Sequence, residues 1–169
     1  TVSTGFFGTG VLNPMLSEGG HTDLAYRLIT QTAYPSWLYP VTQGATTIWE
    51  HWDSFTEEKG FGGQNAMNSF NHYSLGSVLS WMYHVILGIS RDETVPGYGK
   101  ILLKPEIGPL EFAEGSVASP YGKIIAGWKK DGGKVLYTCE LPVNTTATVA
   151  LPDGTKEEIG SGKWEFKIQ

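Results

Sequence analysis

The stretch Ser90-Arg91-Asp92-Glu93-Thr94-Val95-Pro96-Gly97-Tyr98-Gly99 separates two kinds of sequence. Before it, apolar residues recur at helical spacing. After it, short β-branched runs are punctuated by Gly, Pro and Asp. The change predicts a helical part over residues 1–92 and a β part over 93–169.

Upstream of the break, Val11, Leu12, Met15 and Leu16 form a short apolar face that Gly19-Gly20 ends. Pro14 fits only near the start of that helix. A second helix is expected from Thr22 as N-cap, with Asp23 in its first turn and Leu24, Ala25, Leu28 and Ile29 on one side. A shorter segment, Ser36 to Val41, follows Pro35. The longest helix is expected from Phe70 to Ile89, lined by Leu75, Val78, Leu79, Met82, Val85, Ile86 and Ile89. Ser74, Ser77 and Ser80 are interleaved there and would let a neighbouring helix come close. Long loops join these helices, and loops of that length often carry function.

Downstream, strands are expected at Lys100–Lys104, Phe112–Ser119, Tyr121–Lys130, Lys134–Leu141, Thr145–Leu151 and Lys163–Ile168. Asp131-Gly132-Gly133 reads as a hairpin turn and Asp153-Gly154 as another. About seven short strands at ~8–12-residue spacing suggest an antiparallel sandwich.

The 169 residues, 40% of them apolar, suit one ordinary domain or two small ones. A formal charge of −5 without a basic stripe argues against nucleic acid as a partner. No apolar run reaches ~18 residues, so no helical membrane span is expected. Aromatics make up 12% of the chain, with six Trp, while charged residues make up 17%. Such a composition suits a protein that grips a flat, uncharged molecule such as a sugar, and it suits a well-packed core more simply. The single Cys139 excludes an internal disulfide and leaves the compartment open. The chain opens at Thr1-Val2-Ser3-Thr4-Gly5 without an initiator Met or a signal peptide, which reads as part of a longer protein.

The densest chemical feature is Gly44-Ala45-Thr46-Thr47-Ile48-Trp49-Glu50-His51-Trp52-Asp53. A surface Glu is ordinarily solvated and inert. Glu50 lies between two tryptophans, whose rings exclude water, a setting used for acid–base work, and whose faces stack on sugar rings. Asp53, three residues on, suits a cap or salt bridge better than a second catalytic part. In Asn68-Ser69-Phe70-Asn71-His72-Tyr73, Asn68 or Ser69 would cap the long helix, and His72 with Tyr73 could either open that helix or reach ligand hydroxyls. Other chemistries lack their motifs. His21, His51, His72 and His84 have no close metal-ligand spacing, and there is no Gly-x-Ser-x-Gly elbow, dinucleotide fingerprint or phosphate loop.

Several of these segments, taken in order, carry a family resemblance. Thr4 to Thr9, Leu16 to Tyr26, Tyr34 to Tyr39, Gly44 to Asp53 and Asn68 to Tyr73 together resemble the C-terminal region of bacterial α-L-rhamnosidases of glycoside hydrolase family 78. Gly97-Tyr98, Pro105-Glu106-Ile107 and Ser119-Pro120-Tyr121-Gly122 resemble the β domain that closes those enzymes. The resemblance implies an α+β, two-part chain: the last helices of an (α/α)6 barrel, followed by an antiparallel β-sandwich. It implies inverting hydrolysis of terminal α-L-rhamnosides, without metal or organic cofactor. The family's general base matches Glu50 and its sugar-contacting His matches His72, while Trp49 and Trp52 would shape the wall of the site. His51 stands where Arg is common in the family. No segment resembles the family's general-acid motif, which lies upstream, so the chain alone is expected to be inactive.

The partners implied are a rhamnose-containing glycoside and the missing N-terminal part of the same protein. Apolar faces left open by a partial barrel would favour self-association. Rival readings are another (α/α)6 inverting glycosidase, a carbohydrate-binding module, and a sandwich that only braces the barrel. Trp128 and Trp164 fall in strand patterns and are expected in the core rather than on a sugar-binding platform.

Overall fold

The computed structural model describes residues 4–61 and 67–168. Thr1, Val2 and Ser3, at the expected opening, lie outside the described residues. The chain divides into two compact units, Thr1–Leu79 and Ser80–Gln169. The division falls before the sequence break at 90–99, because β3 (Ile89–Arg91) already pairs with the next strand of the second unit.

In the first unit, α1 spans Phe6–Glu18, so Pro14 sits in its interior rather than near its start. Thr9 and Asn13 are its buried residues, whereas Val11 and Met15 are each 56% exposed. The apolar face is therefore open at Val11 and Met15 and half-buried at Leu12 and Leu16. Gly20, at φ 79°, supplies the left-handed turn after α1, and the His21 N–H reaches back to the Leu16 carbonyl at 2.7 Å. α2 spans Thr22–Thr30, with Asp23 in its first turn. Thr22 is thus the first helical residue instead of the cap, and His21 in the cap position makes no side-chain capping bond. In α3 (Leu38–Thr42) the Tyr39 N–H donates to the buried Ser36 hydroxyl at 3.1 Å.

The long helix expected over Phe70–Ile89 is shorter and broken. It begins at α4 (Tyr73–Gly76), continues as α5 (Val78–Trp81), and ends as a π-turn over Met82–Ile86. His72 takes the cap position, its Nδ1 accepting the Ser74 N–H at 3.3 Å. Asn68 and Ser69, the expected caps, bind elsewhere. Gly88, at φ 75°, turns the chain out of the helix, and Ile89 becomes a strand residue.

Between α2 and α4, aromatic rings supply the core of an otherwise irregular segment. Trp37 meets Trp52 edge-on at 5.4 Å, and its indole N–H donates to the Leu75 carbonyl at 2.9 Å. Trp49 meets Phe70 at 5.4 Å and Phe55 at 6.4 Å, and Phe61 contacts both phenylalanines. Edge-to-face geometry of this kind adds to simple area burial. A short ladder, β1 (Phe55–Thr56) with β2 (Gly60–Phe61), belongs to the same cluster.

The second unit holds two four-stranded sheets. One orders β10 (Gly162–Ile168), β7 (Lys134–Leu141), β6 (Gly122–Asp131) and β5 (Phe112–Ser119), all antiparallel. The other orders β3, β4 (Lys100–Leu103), β8 (Thr146–Ala150) and β9 (Lys156–Ile159). In this sheet β4 and β8 run parallel, a departure from the wholly antiparallel expectation. The β5–β7 excursion brings the chain back in the same direction as β4. Gly132 and Gly133, at φ 54° and 83°, form the two-residue turn between paired Asp131 and Lys134.

Ile101, Leu103, Ile124, Ala126, Tyr137, Ala147 and Val149 are wholly buried between the sheets. Trp128 joins them as expected. Trp164 does not: it is 39% exposed on edge strand β10, and its indole donates to the Gly160 carbonyl.

Candidate active site

The two chemical motifs of the first half are one hydrogen-bonded unit. Glu50 and Ser69 meet through the main chain, with the Glu50 N–H donating to the Ser69 carbonyl at 2.8 Å. Further along, the His72 N–H donates to the Ile48 carbonyl at 2.8 Å. The Thr47 hydroxyl donates to the Phe70 carbonyl. This short ladder fixes Glu50 and His72 relative to each other through the backbone, not through their side chains.

The Glu50 carboxylate is tied into the same ladder. Its Oε2 accepts the Ser69 N–H at 2.7 Å, while Oε1 lies 3.9 Å from Nε2 of His51. Hydrogen bonds to an ionised acceptor are among the stronger protein hydrogen bonds. The Glu50 side chain keeps 22% of its surface open. It lines a cleft of about 270 Å³ with Thr4, Gly5, Phe6, Tyr34, His51, Trp52, Asp53 and Leu75. That volume is just under the range of roughly 300–1,000 Å³ usual for small-molecule sites. A carboxylate held in place yet open to a cleft has the geometry to take a proton from water or from a ligand hydroxyl.

Trp52 lines this cleft. Trp49 does not: it is 6% exposed, belongs to the aromatic cluster, and borders a separate hollow of about 30 Å³ with Trp37 and Trp52. The indole beside Glu50 in sequence is thus packed among Phe55 and Phe70 rather than on the cleft wall. His72 is one ring removed from the cleft. Its imidazole lies 5.0 Å from the Phe6 ring, a lining residue, and stacks on Tyr73 at 5.2 Å. With Nδ1 committed to Ser74, Nε2 is the nitrogen on the far side of the ring.

Asp53 and Tyr34 also meet in the cleft. Burial, then the Asp53 carboxylate, then Tyr39 push the Tyr34 phenol above its ordinary value, so it stays a hydrogen-bond donor. Tyr34 and Phe6 lie in motifs legible in the sequence, but only the fold shows that they border Glu50. The buried Ser54 hydroxyl, which lies 2.8 Å from Asn68 Oδ1, had no sequence signal at all.

The first unit is thus helical and carries the carboxylate cleft, and the second is built of two four-stranded sheets. Residues 1–86 match the bacterial alpha-L-rhamnosidase 6 hairpin glycosidase domain, and residues 88–165 match the bacterial alpha-L-rhamnosidase C-terminal domain. The chain belongs to the bacterial α-L-rhamnosidase family. It is 45% identical over 152 residues to an α-L-rhamnosidase of Streptomyces avermitilis, covering 89% of this chain and 14% of that protein. An α-L-rhamnosidase of Alteromonas sp. (strain LOR) is 43% identical, over 88% of this chain and 16% of that protein. The chain thus spans a small part of the curated relatives it matches. Among solved structures, the Streptomyces avermitilis α-L-rhamnosidase complexed with L-rhamnose matches with a TM-score of 0.89 and 40% identity, over 99% of this chain and 18% of that one. The native enzyme from Aspergillus terreus matches with a TM-score of 0.91 and 42% identity, over 100% of this chain and 20% of that one.

Proposed function

We propose that the chain is the closing part of a longer enzyme that releases terminal α-L-rhamnose with inversion, and that Glu50 is its general base. The observation that carries this is the Glu50 carboxylate, pinned by the Ser69 N–H at 2.7 Å in an open, aromatic-sided cleft. Likeness to a structure solved with L-rhamnose supports the choice of sugar.

An inverting glycosidase activates water with one carboxylate on one ring face and protonates the leaving oxygen from the other, the two carboxyls standing ~6.5–9.5 Å apart. Glu50 takes the first role. Asp53, which also lines the cleft, is not assigned the second role. The acid and most sugar contacts come from elsewhere in the longer protein, and the 169 residues alone are inactive. Trp52 forms part of the cleft wall, His72 offers Nε2 to a sugar hydroxyl, and Trp49 packs in the aromatic cluster without touching the sugar. No metal or organic cofactor enters this scheme. Residues 1–92 act as barrel and 93–169 as a bracing β domain.

The test is Glu50→Gln in the full-length protein with an aryl α-L-rhamnoside. The amide keeps shape and loses basicity, so kcat falls about 10²–10⁴-fold, the range for one acid–base group. Proton NMR of the first-formed sugar should show the β-anomer. Normal turnover by the variant, or α-rhamnose as first product, overturns the assignment.

A further inference from the structure

Building on the reading of Glu50 as base, we propose that Ser54 is a positioning residue for that carboxylate, acting through Asn68 and Ser69. Ser54 is wholly buried, although His51 and Asp53 beside it are exposed. Its hydroxyl accepts the His51 N–H at 3.1 Å and lies 3.0 Å from the His51 carbonyl and 2.8 Å from Asn68 Oδ1. Asn68 returns the contact, its Nδ2 donating to the Ser54 carbonyl at 3.4 Å.

These contacts close a ring. His51 follows Glu50 in the chain, and Asn68 precedes Ser69, whose N–H holds the Glu50 carboxylate. The path runs from Glu50 to His51, across the Ser54 hydroxyl to Asn68, on to Ser69, and back to Glu50 Oε2. A hydroxyl offers one proton and two acceptor sites, so a single side chain can serve both edges. Without it, the two sides keep their main-chain bond and the Asn68 contact to the Ser54 carbonyl, but lose the hydroxyl bridge between His51 and Asn68 that braces the residues flanking the held carboxylate. The Asn68 Oδ1 would then lose its donor, while its Nδ2 keeps the Ser54 carbonyl.

The expected consequence is a drift of the carboxylate relative to the bound sugar. Misplacement by about 1 Å costs on the order of 10²-fold in rate. Substrate binding depends on the whole cleft and changes little. A serine that only stapled a loop would affect stability without regard to what stands at position 50.

The experiment uses the full-length protein with a highly activated aryl α-L-rhamnoside. Ser54→Ala and Asn68→Ala, which cut the tie from opposite ends, should each lower kcat about 10- to 100-fold. KM should stay within about twofold, the mark of an interaction that matters in the transition state. In a Glu50→Gln background, Ser54→Ala should add no further loss, because the group it positions is gone. If Ser54→Ala does not fold, Asn68→Ala decides by the same three measurements. Single-variant kcat close to the parent, or a loss that persists in full in the Glu50→Gln background, overturns the inference while the base assignment stands. Normal turnover by Glu50→Gln alone overturns the base assignment, and the inference with it.

Discussion

The indole N–H of Trp128 donates to the main-chain carbonyl of Ile86 at 2.8 Å, with the two residues 2% and 1% exposed. The carbonyls at the end of a helical segment have no partner within it. Here a core tryptophan of β6 supplies one. Trp128→Phe keeps an aromatic ring but leaves that carbonyl without its donor. The expected loss is about 1–3 kcal/mol, read from the urea midpoint. Trp164→Phe, on the open edge strand, should change stability by less than about 1 kcal/mol. Equal losses in the two variants would count against the role given to the Ile86 contact.

Gly88 admits no side chain. Its φ is 75°, and a Cβ there would stand 2.2 Å from the Pro105 nitrogen and 2.3 Å from the Lys104 carbonyl carbon. Both obstacles are backbone and cannot turn aside. Gly132, at φ 54° with open space around it, bears only the left-handed penalty. Gly132→Ala should cost about 1–2 kcal/mol. Gly88→Ala should cost clearly more, by denaturant titration or as loss of soluble protein.

Cys139 lies in the sandwich core, and burial pushes its thiol up to about 12. The thiolate is the reactive form, so at a mildly alkaline pH of about 8 almost none is present. A thiol reagent under those conditions should leave the folded chain unmodified and label one equivalent in denaturant. Prompt labelling of the folded chain would show that β7 opens or that the thiol is less enclosed.

Phe7, Val11 and Met15 stand one turn apart along the open side of α1, at 98%, 56% and 56% exposure. Apolar stripes of this kind rarely stay uncovered. The 169-residue chain produced alone should self-associate in a sizing experiment. Replacing Phe7, Val11 and Met15 together by Gln should move it towards the monomer. A monodisperse parent chain would refute this.

Which elements could be read from sequence follows from how local their causes are. β5 and β7 appear with the expected bounds because alternation and the Gly132-Gly133 turn act over a few residues. β9, Lys156–Ile159, escaped because three of its four residues are exposed and charged, as suits an edge strand. β3 escaped because Ile89 continues the helical spacing of Met82, Val85 and Ile86, and only Gly88 marks the stop between them. The α1 face was legible as apolar, but its direction depends on what packs against it. At the site, the motifs around Glu50 and His72 could be recognised individually. Their shared ladder, and the Ser54–Asn68 tie, join residues distant in sequence and leave no periodic trace.

The parallel pairing of β4 with β8 has a kinetic consequence. β5, β6 and β7 are sequential hairpin partners that can meet as soon as their turns form. β4 meets β8 across the whole β5–β7 meander, with Thr146 beside Lys100. Distant contacts pay a loop-closure entropy that local ones avoid. Lys100 and Thr146 are the starting pair of the most sequence-distant strand contact in this unit, so closing the sheet at β4–β8 carries the largest loop-closure cost of any of its strand pairs.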